Sequence, residues 1–257
     1  MNKMVNALFN ICYLEELARR DEWINRIHPL IKLMITLLYI IGVASVGKYE
    51  VIRVLLFGLY PILVITITGL PLKPLLQKMM IPALAGASLG ILNPYLDPLK
   101  VILTSNIAVS AGWISLLTLF LKSMFSILAA LILVATTKVE AIAGALNLLK
   151  LPRIMTIQFL LMFRYITVLV HEVDRTITAY SLRAGGRRAI GYKAWGSMLG
   201  QLFMRTSNRS IELYEAMKLR GFKGEVLYAT KDKVSVTDGV YFIFWMTLIG
   251  LLTVVKL

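Results

Sequence analysis

Apolar segments that each carry at most one charge recur along this chain, and they constrain its fold more than any other feature. A helix of about 20 such residues crosses the roughly 30 Å of hydrocarbon in a bilayer, and in lipid a helix satisfies its own backbone hydrogen bonds. Lys32 and Arg53 lie near the ends of two segments, where a long basic side chain can reach the interface. We predict five membrane spans: residues 30–46, 51–70, 75–92, 113–136 and 241–255.

The composition excludes other broad classes of protein. Of the 257 residues, 58% are hydrophobic and only 16% are charged, whereas a soluble domain has about 25% charged residues. A water-soluble enzyme and a disordered chain are both disfavoured, because disorder requires low hydrophobicity with high charge. A single cysteine, Cys12, excludes an intramolecular disulfide, and with two histidines it does not make a zinc or haem site. The predicted fold class is therefore an all-α polytopic membrane protein.

The basic residues indicate the topology. Residues 137–236 hold 16 of the 28 Lys and Arg residues and only seven acidic ones. The positive-inside rule places this stretch in the cytoplasm, and with five spans the N-terminus is cytoplasmic too. Topology explains the basic excess more simply than nucleic-acid binding does. We predict a membrane region over residues 1–136 with four spans, a cytoplasmic region over 137–236, and a last span within 237–257.

The cytoplasmic region is predicted to form three helices. The Leu151-Pro152 pair separates the first two, because proline disfavours helical geometry in the residue before it and suits the start of the next helix. Glycines follow the second and third helices, as is typical of helix C-termini. The second half of the middle helix is too charged for lipid and presents one polar face. The predicted helices are residues 139–149, 152–183 and 195–220.

A short repeat, A-x-x-L-R-[AG], ends the second and third of these helices, and the second copy begins 37 residues after the start of the first. An arginine at a helix end complements the helix dipole, worth about 0.3–1 kcal/mol, and that alone could explain one copy. Two copies on one cytoplasmic region favour docking on two copies of a partner, because arginine binds carboxylates bidentately. The repeat positions are Ala179, Leu182, Arg183 and Ala184, and Ala216, Leu219, Arg220 and Gly221.

At these motifs the chain resembles the transmembrane T subunit of energy-coupling factor (ECF) transporters, whose hallmark is two arginine-centred motifs ending two cytoplasmic coupling helices. The chain is most similar to the CbiQ branch, associated with cobalt uptake. The first motif departs from the fuller spelling in having Ala184 after the arginine. Further points of resemblance are His28-Pro29, Lys32, Ala135-Thr136-Thr137, Leu151-Pro152, Met162-Phe163-Arg164-Tyr165 and Glu172.

The resemblance implies that residues 137–236 are coupling helices, with Arg164 and Glu172 in a supporting role. In this family the T subunit joins two ABC-type ATPases to a small membrane-embedded S component that captures the substrate: cobalt, another metal ion or a vitamin. The expected location is the plasma membrane of a prokaryote. The lipid bilayer is expected to surround the protein, and no nucleic-acid partner is expected.

The chain itself is predicted to be non-catalytic. Gly186 and Gly191 have the glycine spacing of a P-loop, but Tyr192 replaces its lysine, so ATP and Mg are expected on the partner ATPases. We expect no catalytic residue, cofactor site or metal site here. An intramembrane enzyme needs a converging polar cluster, whereas the candidates all lie on one helix: Arg164, His171, Glu172 and Asp174.

Two questions stay open at the level of sequence. The permease subunit of a conventional ABC importer is the alternative function, because Glu140-Ala141 with Gly144 faintly resembles its coupling motif. That family needs one such loop, and here two arginine motifs occur. Lys122 lies in the middle of a predicted span, where a charge is costly, and both a role in a transport pathway and an internal contact fit it.

Overall fold

The computed structural model describes residues 17–18, 23–93, 100–104, 107–149, 151–183, 192–224 and 235–254. These residues are almost entirely helical, which confirms the all-α class; one short antiparallel β-hairpin interrupts the helices. In chain order, after a 3₁₀ turn at Ile24–Arg26, the elements are α1 Pro29–Ser45, α2 Val51–Phe57, α3 Leu59–Thr68, α4 Leu72–Gly90, β1 Lys100–Thr104, β2 Ile107–Ser110, α5 Ala111–Thr136, α6 Val139–Leu148, α7 Arg153–Arg183, α8 Tyr192–Leu219 and α9 Val236–Val254.

The chain divides into two compact units. We call the first the core unit; it comprises Leu17–Lys138 and Lys231–Leu257. The second, which we call the insert unit, includes Val139–Thr230. The chain therefore leaves the core unit after α5 and returns to it before α9. The hairpin of β1 and β2 lies within residues 93–112, which the sequence indicated only as a connection.

Four helical segments among the described residues are long and apolar enough to cross a membrane: Val51–Thr68, Ala111–Thr136, Ile154–Arg183 and Val236–Thr253. Three of these four agree with predicted spans. The predicted first span is α1, which is apolar but has only 17 residues, or about 26 Å at 1.5 Å per residue. The predicted third span, α4, is not among the four, whereas Ile154–Arg183 is, because its first half is apolar.

Close helix packing in the core unit explains the small residues of α4. A Cβ added to Gly86 would lie 2.8 Å from the Cβ of Ser123 on α5, and one added to Gly90 would lie 3.1 Å from the Leu119 side chain. A residue larger than glycine at either position would require Ser123 or Leu119 to move. Small residues at a helix interface were predicted for this segment, and they bring two apolar helices together as in membrane helix pairs.

An aromatic cluster fills the centre of the core unit. The ring of Tyr60 lies 4.5 Å from that of Tyr39 and 4.6 Å from that of Trp245, centroid to centroid. The Tyr39 hydroxyl donates to the carbonyl of Phe57 at 2.9 Å, so its polar group is satisfied inside the cluster. Trp245 is only 2% exposed, so it belongs to the interior of the core unit.

The insert unit consists of α6, α7 and α8, and their boundaries lie within three residues of those predicted. The first two helices are separated at Leu151 and Pro152, where the chain leaves helical geometry. α7 has 31 residues, a length of about 46 Å. Residues 184–191, which include Ala184 and the P-loop-like spacing, lie outside the described residues.

Candidate functional site

The two arginine motifs lie at the C-terminal ends of α7 and α8, where they form exposed tips. Leu182 and Leu219 are 77% and 89% exposed, and the following residues, Arg183 and Arg220, are exposed as well. Burying a leucine side chain is worth about 1.5–3 kcal/mol. A leucine this exposed beside an arginine gives each tip an apolar contact and a charged donor for a partner.

The tip of α8 has a geometry that requires its glycine. Gly221 has φ +80, and two backbone hydrogen bonds close the helix: Phe222 N–H to Met217 O and Gly221 N–H to Lys218 O, both 3.0 Å. This is the Schellman arrangement, in which the left-handed residue after the helix is usually glycine. The cap fixes the backbone of Arg220 at the end of the helix.

The tip of α7 borders a polar cleft of about 620 Å³ between α7 and α8. Arg175, Arg183 and Arg205 line the cleft together with one carboxylate, that of Glu172, which leaves a formal charge of +2 among the described lining residues. Ser197 and Gln201 add neutral polar groups. The cleft is thus suited to an anionic group.

Two contacts tie α7 to α8. Arg205 donates to the carboxylate of Glu172, and the guanidinium of Arg209 lies 5.9 Å from the ring centroid of Tyr165. By their spacing in sequence, Glu172 and Arg175 share a face of α7, but the structure pairs Glu172 with Arg205 of the other helix. Arg205 and Arg209 are four residues apart and so share one face of α8, but that spacing alone does not identify their partners.

The remaining predicted site residues are exposed on the same two helices. Arg164 is exposed, and its backbone carbonyl accepts from the Thr167 hydroxyl at 3.2 Å. Ala179 and Ala216 are exposed one turn before their motif arginines. The structure therefore places all the described motif residues on the surface of the insert unit, at or near the two tips.

The core unit contains cationic caps that sequence reasoning missed. Lys32 Nζ donates to the carbonyl of Thr136, the last residue of α5, at 2.8 Å. Arg53 Nε donates to the carbonyl of Leu252 near the end of α9, also at 2.8 Å. Both were expected to reach outward to the interface, and both are instead buried. Carbonyls of a helix's last turn have no partner within the helix, so a cation there stabilises the helix end.

A buried carboxylate joins the beginnings of two helices. Asp238 Oδ1 accepts the backbone N–H of His28 at 3.0 Å, and Oδ2 accepts that of Ser235 at 2.9 Å. His28 Nδ1 in turn accepts the N–H of Leu30 at 3.3 Å and caps α1. His28 is only 4% exposed. Its role in the structure is to begin α1.

The described residues contain no group of three or more His, Cys, Asp or Glu side chains that could hold a metal ion. Helices suited to a bilayer define the chain as a polytopic membrane protein, and two exposed arginine tips lie on the surface of its insert unit. The family model described as CbiQ, cobalt transport protein, matches residues 20–229. The chain belongs to this family of transport proteins, as its resemblance to the CbiQ branch predicted.

Two curated proteins are similar to the chain. An uncharacterized protein of Methanocaldococcus jannaschii is 21% identical over 250 residues, which is 93% of this chain and 85% of that protein. Nickel permease LarQ of Lactiplantibacillus plantarum is 26% identical over 145 residues, covering 52% of this chain and 53% of its own length. The family supports membrane transport as the general role of this chain.

Proposed function

We propose that this protein is the T subunit of an ATP-driven, ECF-type importer, and that α7 and α8 are its coupling helices. The observation that carries the proposal is the pair of exposed Leu-Arg tips at their C-termini, in a member of the CbiQ family. Two tips of the same chemistry fit two copies of one partner. Two ABC-type ATPase subunits, which bind ATP and Mg themselves, are the partners proposed.

Each tip offers a two-part contact to an ATPase. The arginine forms bidentate hydrogen bonds with a carboxylate, and the neighbouring leucine enters an apolar pocket beside it. Leu182 and Leu219 would lose most of their exposure on docking. Closure of the ATPase pair upon ATP binding then displaces the tips. The Arg205–Glu172 pair and the Arg209–Tyr165 contact help the two long helices to move together.

The two tips differ in their electrostatic surroundings. Arg183 lies beside Arg175 and Arg205 in the polar cleft, whereas Arg220 follows the capped end of α8. We infer that an acidic ATPase surface is attracted more strongly to the α7 tip than to the α8 tip. The positively charged cleft also raises the rate of association with such a surface, in a manner that depends on ionic strength.

The transported substrate is proposed to be cobalt, nickel or another micronutrient. The family description names cobalt and the relative LarQ is named a nickel permease, and these names support a metal ion. Capture of the ion is assigned to a separate S component in the plasma membrane. The N-terminus and the insert unit are proposed to face the cytoplasm, where the ATPases are.

Affinity purification of the tagged protein from its native membrane tests this proposal. We expect mass spectrometry to identify two ATPase subunits and one small integral membrane protein, and the purified complex to hydrolyse ATP. Recovery of ATPases with an extracellular receptor and no small membrane protein would favour a conventional ABC importer. Recovery of the chain without any ATPase would refute the coupling role.

A further inference from the structure

Core-unit residues that lie beside both ends of the segment Val139–Thr230 are bonded to the beginning of α1. After α5 ends at Thr136, only Thr137 and Lys138 precede the insert unit, and the chain returns to the core unit ahead of α9. Lys32 Nζ binds the carbonyl of Thr136 at 2.8 Å. On the return side, Asp238 binds the N–H groups of Ser235 and of His28. We call these five residues the clasp: His28, Lys32, Thr136, Ser235 and Asp238.

The clasp ties both chain crossings to the beginning of α1. His28 is the N-cap residue of α1 and Lys32 lies in its first turn, so the two bonded residues are only four positions apart. Their bonded partners come from positions 104 and 210 residues away. The segment Val139–Thr230 of the insert unit is joined to the core unit at its two ends, and the core-unit residues beside both ends are bonded to α1. A displacement at either connection therefore acts on the same turn.

The clasp contains buried charged side chains, which close packing alone does not require. Lys32 is 6% exposed and Asp238 is 3% exposed. Burying charged groups in an apolar interior is costly, and apolar residues of similar size often give a core of equal or greater stability. Directional bonds to backbone groups, in contrast, fix where α5 ends and where α9 begins. The buried charges of Lys32 and Asp238 therefore fit a role in fixing the positions of these two helix ends.

We propose that the clasp is the element through which displacement of the insert unit reaches α1, with Lys32 and Asp238 as its positioning residues. The proposal rests on the coupling role proposed above. The tips of α7 and α8 receive the motion of the ATPases, and the two chain crossings deliver it to the core unit. Because α1 is bonded to residues beside both crossings, it is displaced together with them.

The core unit provides a matched control. Lys122 Nζ also donates to a carbonyl at a helix end, that of Val46 after α1, but it does so away from both chain crossings. Lys32→Met and Lys122→Met remove the same charge and the same kind of hydrogen bond, and methionine keeps the length of the side chain. Lys32→Arg retains a cationic donor and tests for rescue.

The first measurement uses the complete complex, purified with its native partners and reconstituted in proteoliposomes. Uptake of radioactive cobalt(II) and nickel(II) is divided by the ATP hydrolysed in the same vesicles. We expect Lys32→Met to lower this ratio about tenfold, the factor that corresponds to one charge-assisted hydrogen bond. Lys122→Met should leave the ratio unchanged per assembled complex, and Lys32→Arg should restore most of it.

Equal ratios for Lys32→Met and Lys122→Met would overturn the proposal, because the clasp would then contribute only to stability. A second measurement, amide hydrogen exchange of the full-length chain without partners, decides the matter independently of the ATPases. We expect Lys32→Met to speed exchange at the last turn of α5 about tenfold, with Asp238→Asn doing so at the start of α9. If Lys122→Met speeds exchange there equally, the clasp does not hold these ends.

The two proposals fail in different ways. If no ATPase accompanies the wild-type chain, the coupling role is refuted, while hydrogen exchange still shows whether the clasp holds both ends of the insert unit. If the ATPases are present and the uptake ratio does not respond to Lys32→Met, the coupling role stands and the clasp proposal is refuted.

Discussion

The ammonium group of Lys122 donates a hydrogen bond to the carbonyl oxygen of Val46, 76 positions earlier in the chain, at the C-terminal end of α1. The carbonyl of Ala44 lies 3.4 Å from the same nitrogen. The sequence left two interpretations of this mid-span lysine open, and the structure supports the internal contact. The Lys122 ammonium group thus caps the C-terminal end of α1, where the last carbonyls have no partner within the helix.

Lys122→Met is expected to lower the free energy of unfolding by about 1–2 kcal/mol, because the end carbonyls of α1 lose a cationic partner. Thermal unfolding of the purified protein in detergent measures the effect. Lys122→Arg, which keeps a cation and donors, should recover most of the stability. If both variants unfold at the same temperature as the wild type, the Lys122 contact does not stabilise α1.

Gly221→Ala is expected to destabilise the tip of α8 by about 1–2 kcal/mol, because φ +80 places the new side chain in the left-handed region. Gly200 is the control on the same helix: a Cβ added there meets nothing within 4 Å. Gly200→Ala should stabilise by about 0.5–1 kcal/mol through its better helix propensity. Thermal unfolding distinguishes the two, and destabilisation of similar size by both would contradict the cap described here.

A double-mutant cycle with Glu172→Gln and Arg205→Gln is expected to give a coupling energy of about 0.2–1 kcal/mol, since the Arg205 side chain is 62% exposed. The coupling should fall as salt is added, because exposed pairs are screened. The same cycle with Arg175→Gln in place of Arg205→Gln is the control. A larger coupling of Glu172 to Arg175 would show that the pair lies within α7.

Leu182→Ala combined with Leu219→Ala is expected to leave the free energy of unfolding within about 0.5 kcal/mol of wild type, because both side chains are exposed. The affinity for the ATPases should fall at least about tenfold, because each leucine is proposed to be buried on docking. Binding of purified ATPase subunits to the immobilised protein measures this. Met204→Ala, at an exposed apolar residue in the middle of α8 and away from both tips, should not weaken binding.

Much of the insert unit could be predicted from the sequence because its signals are local. Pro152 lies between α6 and α7, and Gly221 ends α8 through a left-handed conformation that favours glycine. The exposure of the described motif residues follows from their position at helix ends. Such signals need only a few neighbouring residues to be interpreted.

The roles of the buried charges could not be predicted, because their partners are backbone groups distant in sequence. Lys32 and Arg53 look the same in sequence as lysines and arginines that reach the interface, and only the packing of α5 and α9 directs them inward. The partner of Glu172 depends likewise on how α8 crosses α7. A carbonyl at a helix end has no signature of its own in the sequence.

We propose that Arg183 and Arg220 connect this protein to its ATPases. The most direct measurement compares ATP hydrolysis with metal-ion uptake in proteoliposomes for Arg183→Ala combined with Arg220→Ala. Lys218→Ala with Lys223→Ala is the control, because it removes the same charge from exposed residues near the end of α8. We predict that the arginine variant inserts and folds, yet loses its ATPases or hydrolyses ATP without uptake, while the lysine variant transports normally. Uptake at the wild-type level by the arginine variant would contradict the coupling role.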